Sequence, residues 1–235
     1  MHILVNHILS WILFFPVIGA VVLLLVPSKS EKALRLTAMI ASLVPFGLTI
    51  YLWSAYAATP HSNEFAFQEQ VNWFPAIQSS FHLGVDGISI VMLLLTTLIT
   101  PLALLASQSI HNHLKTYLIL FMLLETGMLG VFVALDLLIF FVFWEFGLVP
   151  MYFLINQWGG EKRNYASLKF ILFTMGGSLG LLLAIQMMAA VTGTFDLVTL
   201  FKVWPTLNEG SLFGLPTATV KAIAFWAFVI AFGIK

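Results

Sequence analysis

The sequence contains no cysteine, which excludes disulfide bonds, iron–sulfur clusters and thiolate zinc sites from this chain. Any redox cofactor that works with this protein must therefore be held by another subunit, and we expect no cofactor in this one. Charged residues are also scarce. They form 9% of the chain, and ten basic and ten acidic residues cancel to a formal net charge of zero. No basic cluster stands out, so the sequence predicts no nucleic-acid partner.

Apolar residues are correspondingly abundant in this chain. They form 60% of the 235 residues, against about 45–50% in a soluble domain, and the mean hydropathy is +1.01. The bilayer core requires backbones that satisfy their own hydrogen bonds, so we predict an all-α polytopic helical bundle with lipid around it. Runs close to the ~20 residues that cross a bilayer give about seven transmembrane helices in one membrane domain, residues 1–235, at residues 8–26, 36–58, 88–106, 117–135, 137–155, 170–191 and, incompletely, 220–235.

The first run lacks a basic n-region and an A-x-A-like cleavage site, so we expect a retained span and no signal peptide. Lysine and arginine near spans tend to stay on the cytoplasmic side. The loops after the first, third and fifth spans are the basic ones, which predicts an N-terminus outside the inner (plasma) membrane of a bacterium. These loops carry Lys29, Lys32, Arg35, Lys115, Lys162, Arg163 and Lys169, whereas the alternate loops carry Lys202 and Lys221.

The seventh run stops at Gly233-Ile234-Lys235 without a polar exit. We therefore expect this chain to be a fragment of a longer one.

Glu145 is the candidate for chemistry that the sequence favours most. It lies nine residues after Asp136, the expected turn between the fourth and fifth spans, which places it ~13 Å deep at 1.5 Å per residue. Its neighbours on the same helical face are apolar, so a partner must come from another helix or from water. Acids at this depth are costly, face the bundle interior and often serve a proton path. The alternative is a Glu that only holds helices together.

Lys235 is the second intramembrane charge, and no acid lies on its own helical face. Glu145 is its natural partner, although Lys235 lies ~22 Å from Val220 and Glu145 only ~13 Å from Asp136. Either the residues near Val220 are interfacial or the two side chains are offset. The alternative is a flanking lysine that snorkels to lipid headgroups.

Glu125 is the third candidate, with a secondary role in proton transfer. It lies eleven residues before Asp136, so antiparallel fourth and fifth spans would carry Glu125 and Glu145 at similar depth. Whether the two acids face one another is left open by the sequence. If they do not, Glu125 could bond a Thr or Asn across helices.

Other features favour structural interpretations. Pro150 is expected to bend the fifth span and free the Phe146 carbonyl, and Asp86 to begin the third helix. Gly176, Gly177, Ser178 and Gly180 predict close helix packing in the sixth span. His111 and His113 could bind a metal, but two loop histidines without further ligands predict a solvated loop and no metal site.

Several segments together resemble one family. Residues 143–155 (FWEFGLVPMYFLI), followed by Trp158-Gly159-Gly160, closely resemble the M-type (mitochondrial subunit 4-type) antiporter-like subunits of complex I, NADH:quinone oxidoreductase. Residues 83–89 resemble the opening of that family's third span, residues 169–174 its sixth span, and residues 230–235 the first half of its broken seventh span. The resemblance covers essentially the whole chain.

The resemblance implies a fourteen-span, redox-inert subunit with its N-terminus outside. Such subunits resemble cation/proton antiporters and couple quinone reduction by NADH to proton pumping, with the other membrane subunits of complex I as partners. Glu145 matches the family's fifth-span glutamate and Lys235 its seventh-span lysine, whose pairing is implied to gate proton movement. Three alternatives stay open: a subunit of a multi-subunit sodium/proton antiporter, a membrane-bound hydrogenase arm, and a purely structural scaffold.

Overall fold

The computed structural model describes residues 7–58, 65–207 and 210–235. Within them, seven helical segments are long and apolar enough to cross a membrane, which confirms the predicted all-α polytopic bundle. The helices are α1 (Ile8–Leu25), α2 (Glu31–Ala58), α3 (Gly87–Ala106), α4 (Leu114–Val133), α5 (Leu137–Phe146), α6 (Leu148–Trp158), α7 (Arg163–Thr192), the short α8 (Leu197–Thr206) and α9 (Thr217–Ile234). Helices α5 and α6 together form the fifth span.

The first four helices form one bundle, in which α1 packs on α2 and α4, and α3 packs on α2 and α4. Two apolar clusters fill this bundle at different heights. We call them the upper cluster, which includes Leu13, Leu52, Leu93 and Leu129, and the lower cluster, which includes Ala20, Ala41, Leu104 and Met122. A third cluster joins α5, α7 and α9 through residues such as Leu137, Leu181, Ile185 and Ala231.

Two glycines set how closely the helices approach. A Cβ on Gly19 of α1 would lie 2.4 Å from the Cβ of Ala41 on α2, and a Cβ on Gly130 of α4 would lie 2.1 Å from the Phe143 ring on α5. Because real Cβ atoms do not come this close to other carbons, both positions need glycine for the observed packing. Gly47 on α2 has no heavy atom within 4 Å of its Cβ position.

The stretch 59–84 contains strands, which the sequence analysis did not predict. Residues 59–64 lie outside the described part, but β1 (Ala66–Phe74) and β2 (Ser79–Val85) pair as an antiparallel hairpin. We call the membrane face that carries this hairpin the hairpin face. The stretch 192–219 likewise holds structure that was not predicted, the amphipathic α8 and the short strands β3 (Ser211–Leu212) and β4 (Leu215–Pro216), with residues 208 and 209 outside the described part.

Acidic side chains hold the hairpin to the ends of helices. The buried Glu69 of β1 accepts the backbone N–H of Leu9 at 2.7 Å, at the start of α1. Asp136 accepts the N–H groups of Leu138 and Ile139 at the start of α5 through Oδ1, while its Oδ2 accepts from the Ser80 N–H and the Ser79 hydroxyl of β2. Asp86 caps α3 in the same way, as expected. Helix N-termini favour negative charge because their first N–H groups lack partners.

On the opposite membrane face, basic side chains donate hydrogen bonds to the C-terminal ends of helices. Arg35 donates to the carbonyls of Ser107, Gln108 and Ile110 beyond the end of α3, and Lys115 donates to those of Leu24 and Val26 at the end of α1. Carbonyls at a helix C-terminus lack intrahelical donors and carry partial negative charge. The same lysine and arginine residues that predict the orientation therefore also complete helix ends.

A polar network ties α8 to the hairpin. His82 of β2, which is buried, contacts Asp196 Oδ1 through Nδ1 at 2.7 Å and Gln68 Oε1 through Nε2 at 3.2 Å. Both ring nitrogens of His82 therefore lie within hydrogen-bond distance of an oxygen atom. Partial burial alone would raise the pKa of the Asp196 carboxyl, but hydrogen bonds from His82 and Thr199 and the His82 charge lower that pKa below its ordinary value.

The close packing at Gly130 can be tested by an alanine substitution, compared with the same substitution at a helical glycine that has no packing contact. Gly130→Ala should lower the temperature at which the detergent-solubilised parent protein unfolds, because α4 must move away from the Phe143 ring. Gly47→Ala is the matched control and should raise it, since alanine favours a helix by ~1 kcal/mol over glycine. Equal or higher stability of Gly130→Ala would show that α4 and α5 are not in this contact.

The Asp196 network should weaken in acid. A lowered pKa in the folded protein stabilises it above the ordinary Asp pKa of about 4, and this stabilisation is lost as the pH falls through the lowered value. Asp196→Asn should therefore speed amide hydrogen exchange in α8 at neutral pH, as acidification does in the unmodified protein after correction for the intrinsic rate. Unchanged exchange in α8 would contradict the assignment.

Candidate functional site: an interrupted helix beside Glu145 and Lys235

The fifth span is interrupted in its middle. Helix α5 ends at Phe146, Gly147 separates it from α6, and Pro150 follows in the first turn of α6. Pro150 has no N–H to donate to the Phe146 carbonyl, as the sequence indicated. In the structure, Gly127 of α4 packs against this interruption, since a Cβ on Gly127 would lie 3.0 Å from the Gly147 nitrogen. The sequence analysis treated this span as one bent helix, and it is one span, Leu137–Trp158, with its irregularity at Gly147, whose backbone stays in the right-handed helical region.

Glu145 lies in the last turn of α5, next to this interruption. Its side chain is partly buried, and its Oε1 atom is buried without a hydrogen-bond partner in the described part of the chain. A buried acceptor without a donor is costly and is usually satisfied by water or by a proton.

Lys235 follows the end of α9 and reaches the same turn of α5. Its Nζ donates to the Trp144 carbonyl at 2.6 Å and lies 4.5 Å from the centroid of the Trp144 ring. The predicted direct pair with Glu145 is absent from the ion pairs within residues 7–58, 65–207 and 210–235. Lys235 is nevertheless beside Glu145 in the chain fold, because it bonds the carbonyl of Trp144, the residue before Glu145.

The two residues therefore meet at one depth, although their helices begin at different heights. Eighteen residues of α9 precede Lys235, whereas Glu145 is nine residues beyond Asp136. Of the two possibilities that the sequence left open, this meeting fits the first, and the interfacial position of the residues near Val220 stays a prediction.

Trp144 holds the ammonium from two directions, and the sequence analysis did not single it out. Its indole Nε1 donates to the Ser178 hydroxyl of α7 at 3.3 Å, and its ring meets Phe232 of α9 edge-on at 5.2 Å. The carbonyl of Trp144 belongs to the last turn of α5, where helical donors run out. A tryptophan next to an intramembrane acid was the available signal, because aromatic faces bind cations.

A groove opens beside this site. It has a volume of about 500 Å³, lies between α3, α4 and the interrupted span, and is lined mostly by apolar side chains with Thr96 and Lys235 as polar exceptions. An apolar wall keeps the local dielectric low, which strengthens interactions between the charges that remain.

Glu125 lies on a different face of α4. The stripe Leu118, Met122, Glu125, Leu129, Val133 follows helical spacing, and its apolar members belong to the clusters that pack on α1 and α2. The face of α4 toward the interrupted span is instead formed by Gly127 and Gly130. The two acids therefore do not face one another. Glu125 is fully buried, and neither carboxyl oxygen has a hydrogen-bond partner among the described residues.

The remaining candidates have structural roles in the described residues. Gly177 of α7 packs against Ile234 of α9, since a Cβ there would lie 2.9 Å from the Ile234 side chain, which confirms close helix contact at this one glycine. At Gly176 and Gly180 no atom of another element lies within 4 Å of a Cβ position, so the predicted close packing is wrong for these two. His111 bonds Glu31 through Nδ1 at 2.9 Å in an exposed position. Within the described residues, no group of three or more His, Cys, Asp or Glu side chains could hold a metal ion.

Comparisons with known proteins agree along the whole chain. The family described as "NADH-ubiquinone oxidoreductase chain 4, amino terminus" matches residues 12–135, and the one described as "NADH:quinone oxidoreductase/Mrp antiporter, TM" matches residues 134–235. The chain is 37% identical over 235 residues to NADH-quinone oxidoreductase subunit M of Rickettsia typhi, covering 97% of this chain and 45% of that protein.

Solved structures share the fold. A chain of respiratory complex I from Thermus thermophilus matches with a TM-score of 0.77 at 28% identity, covering 96% of this chain and 43% of that one. A chain of the Mrp complex from Dietzia sp. matches with a TM-score of 0.76 at 24% identity, covering 96% and 23%, which shows a common fold alone. This chain spans about half the length of the curated relatives it matches, and it belongs to the NADH-ubiquinone oxidoreductase chain 4 (NADH-quinone oxidoreductase subunit M) family.

Proposed function

We propose that the protein of which this chain is part is a proton-translocating, redox-inert membrane subunit of respiratory NADH:quinone oxidoreductase. It couples electron transfer in other subunits to proton pumping and carries no cofactor in this chain. The observation that carries the proposal is the meeting of Glu145 and Lys235 at the interrupted span. A buried carboxyl oxygen without a partner among the described residues, beside an intramembrane cation, is an arrangement that often serves a proton path.

In the proposed mechanism, the Lys235 ammonium has two positions. On the Trp144 carbonyl and ring, it leaves Glu145 to bind a proton from water, which gives a neutral carboxyl group. When the ammonium moves to Glu145, it stabilises the carboxylate and the proton leaves to hydrated polar groups. Lys235 keeps its own protons throughout, so one proton enters and one leaves per cycle.

The orientation follows from the same charges. Arg35, Lys115 and Arg163 cap helix ends at the face opposite the hairpin, and basic loops favour the cytoplasmic side. We infer that the hairpin face and the N-terminus lie outside the bacterial inner membrane. Partners are the other membrane subunits of the complex and the surrounding lipid.

A subunit of a sodium/proton antiporter complex is the second candidate, favoured by the match of residues 134–235 to the family described as "NADH:quinone oxidoreductase/Mrp antiporter, TM". The two functions differ in what drives proton movement. In vesicles of the native membrane, NADH oxidation should acidify the lumen without added sodium. A proton flux that follows an imposed sodium gradient and ignores NADH would favour the antiporter.

Glu145→Gln tests the acid. Glutamine keeps the size of the side chain but cannot exchange a proton, so NADH-driven proton pumping by vesicles carrying the intact complex should fall steeply while assembly is retained. The matched control is Glu161→Gln, which alters an exposed loop acid and should pump normally. Undiminished pumping with normal electron transfer in Glu145→Gln would overturn the proposal.

Substitutions of Trp144 test the second position of Lys235. A cation–π contact contributes ~0.5–2 kcal/mol, which is about a 2- to 30-fold change in the balance between the two positions. Trp144→Leu should lower the rate of pumping more than Trp144→Phe, which keeps an aromatic face but loses the bond to Ser178. Ser178→Ala removes that bond alone and should match Trp144→Phe. Equal rates for Trp144→Leu and Trp144→Phe would exclude a role for the ring.

A further inference from the structure

A polar layer separates the two apolar clusters of the α1–α4 bundle. It comprises the buried residues between Leu13 and Ala20 of α1, Ala41 and Leu52 of α2, Leu93 and Leu104 of α3, and Met122 and Leu129 of α4. Every one of them is a proline, a glycine, a hydroxyl residue or an acid: Pro16, Gly19, Ser42, Pro45, Thr49, Thr97, Thr100, Pro101, Glu125, Thr126 and Gly127.

This layer offers hydrogen-bond acceptors. Each mid-helix proline removes the N–H that would bond the carbonyl four residues earlier, which affects Ile12, Ala41 and Thr97. The hydroxyls donate within their own helices, as Thr49 does to Pro45 at 2.8 Å and Thr97 to Leu93 at 2.8 Å. Their oxygen lone pairs remain available to accept. A protonated carboxyl or a hydrated proton is the donor that such a set of acceptors fits.

Glu125 is the ionisable member among these buried residues. It is fully buried, and both of its carboxyl oxygens are without partners in the described part of the chain. Freed backbone groups at membrane depth are normally satisfied again by hydroxyls, neighbouring helices or water. An acid at this level therefore shares the layer with groups that accept hydrogen bonds and can hold water.

We propose that Glu125 and this polar layer form a second proton-binding site, on the opposite side of α4 from Glu145. The carboxylate takes one proton from water to form an O–H bond and returns it to water, so no other bond changes. The inference rests on the proposed function, because it adds a second proton site to the same translocating subunit. Its ligand is a proton delivered by water.

The position of Glu125 links the two sites. Glu125, Thr126 and Gly127 follow one another and turn ~200° around α4, so Glu125 faces α1–α3 while Gly127 touches the interruption beside Glu145. One helix, ~10 Å across, separates the two acids. At this distance in a low dielectric, a negative charge on one acid disfavours a negative charge on the other. Protonation of Glu125 should thus favour release from Glu145.

Glu125→Gln separates this role from a packing role. Glutamine is a neutral side chain of the same size, so it replaces a structural, protonated glutamate but cannot exchange a proton. In the intact complex in vesicles, Glu125→Gln should lose most NADH-driven pumping while electron transfer and assembly remain, and Glu125→Asp should restore part of it. Pumping equal to the unmodified complex in Glu125→Gln would overturn the inference.

Parallel assays keep the two proposals apart. Loss of pumping in Glu145→Gln with normal pumping in Glu125→Gln overturns the second site and leaves the proposed function intact. Normal pumping in both variants overturns both. Loss in Glu125→Gln with normal pumping in Glu145→Gln overturns the role of the Glu145 and Lys235 pair and supports the site at Glu125.

Two further measurements test the proposal without requiring that the Glu125→Gln complex assembles. Thr49→Val removes a hydroxyl of the polar layer at constant volume and should slow pumping several-fold. Thr37→Val, on the same helix below the layer, is its control and should not. In infrared difference spectra of the unmodified complex between neutral and alkaline pH, a carboxylic acid C=O band should change and respond to Thr49→Val. Normal pumping and an unchanged band in Thr49→Val would overturn the inference.

Discussion

The ends of helices set the main constraint on this chain, because each leaves four N–H or four C=O groups without partners and the bilayer core offers no water to satisfy them. The few charged residues are concentrated there. Glu69, Asp86 and Asp136 accept from N-termini at the hairpin face. Arg35 and Lys115 donate to C-termini at the other face. The few charged side chains thus satisfy backbone N–H and C=O groups at the ends of helices.

The interruption at Gly147 brings the same requirement into the middle of the membrane. The last carbonyls of α5 need a donor there, and Lys235 supplies one to Trp144. A hydrogen bond to a charged group contributes ~1.5–3 kcal/mol. Opposite charges 4 Å apart attract by ~4 kcal/mol at an effective dielectric constant of 20. In the proposed mechanism the Trp144 carbonyl and the Glu145 carboxylate therefore compete for the ammonium, and a change in charge nearby moves it between them.

The features that the sequence predicted are those that local sequence patterns determine, namely the spans and the charged residues within them. Apolar runs of bilayer length gave the spans, and Glu145, Lys235 and Glu125 stood out because each is a charge in an apolar run. The hairpin was not predicted, because Glu69 acts on Leu9 sixty residues away and the strands show no regular alternation. Pro150 predicted the bend in the fifth span, but the close approach of Gly127 to Gly147 could not be predicted, because it depends on the packing of another helix. Pro16, Pro45 and Pro101 were visible as mid-span prolines, but only packing places them at one level.

Two acids on opposite sides of α4 explain why this helix is the most enclosed of the spans, with 56% of its most apolar window buried against 22–44% elsewhere. A helix that faced lipid could not carry an acid on one side and contact the interrupted span on the other. Thr126 lies between Glu125 and Gly127 on α4, and its hydroxyl donates to the Met122 carbonyl at 3.2 Å. In the proposed mechanism, helix α4 is the thin, low-dielectric layer across which charge on one acid acts on the other.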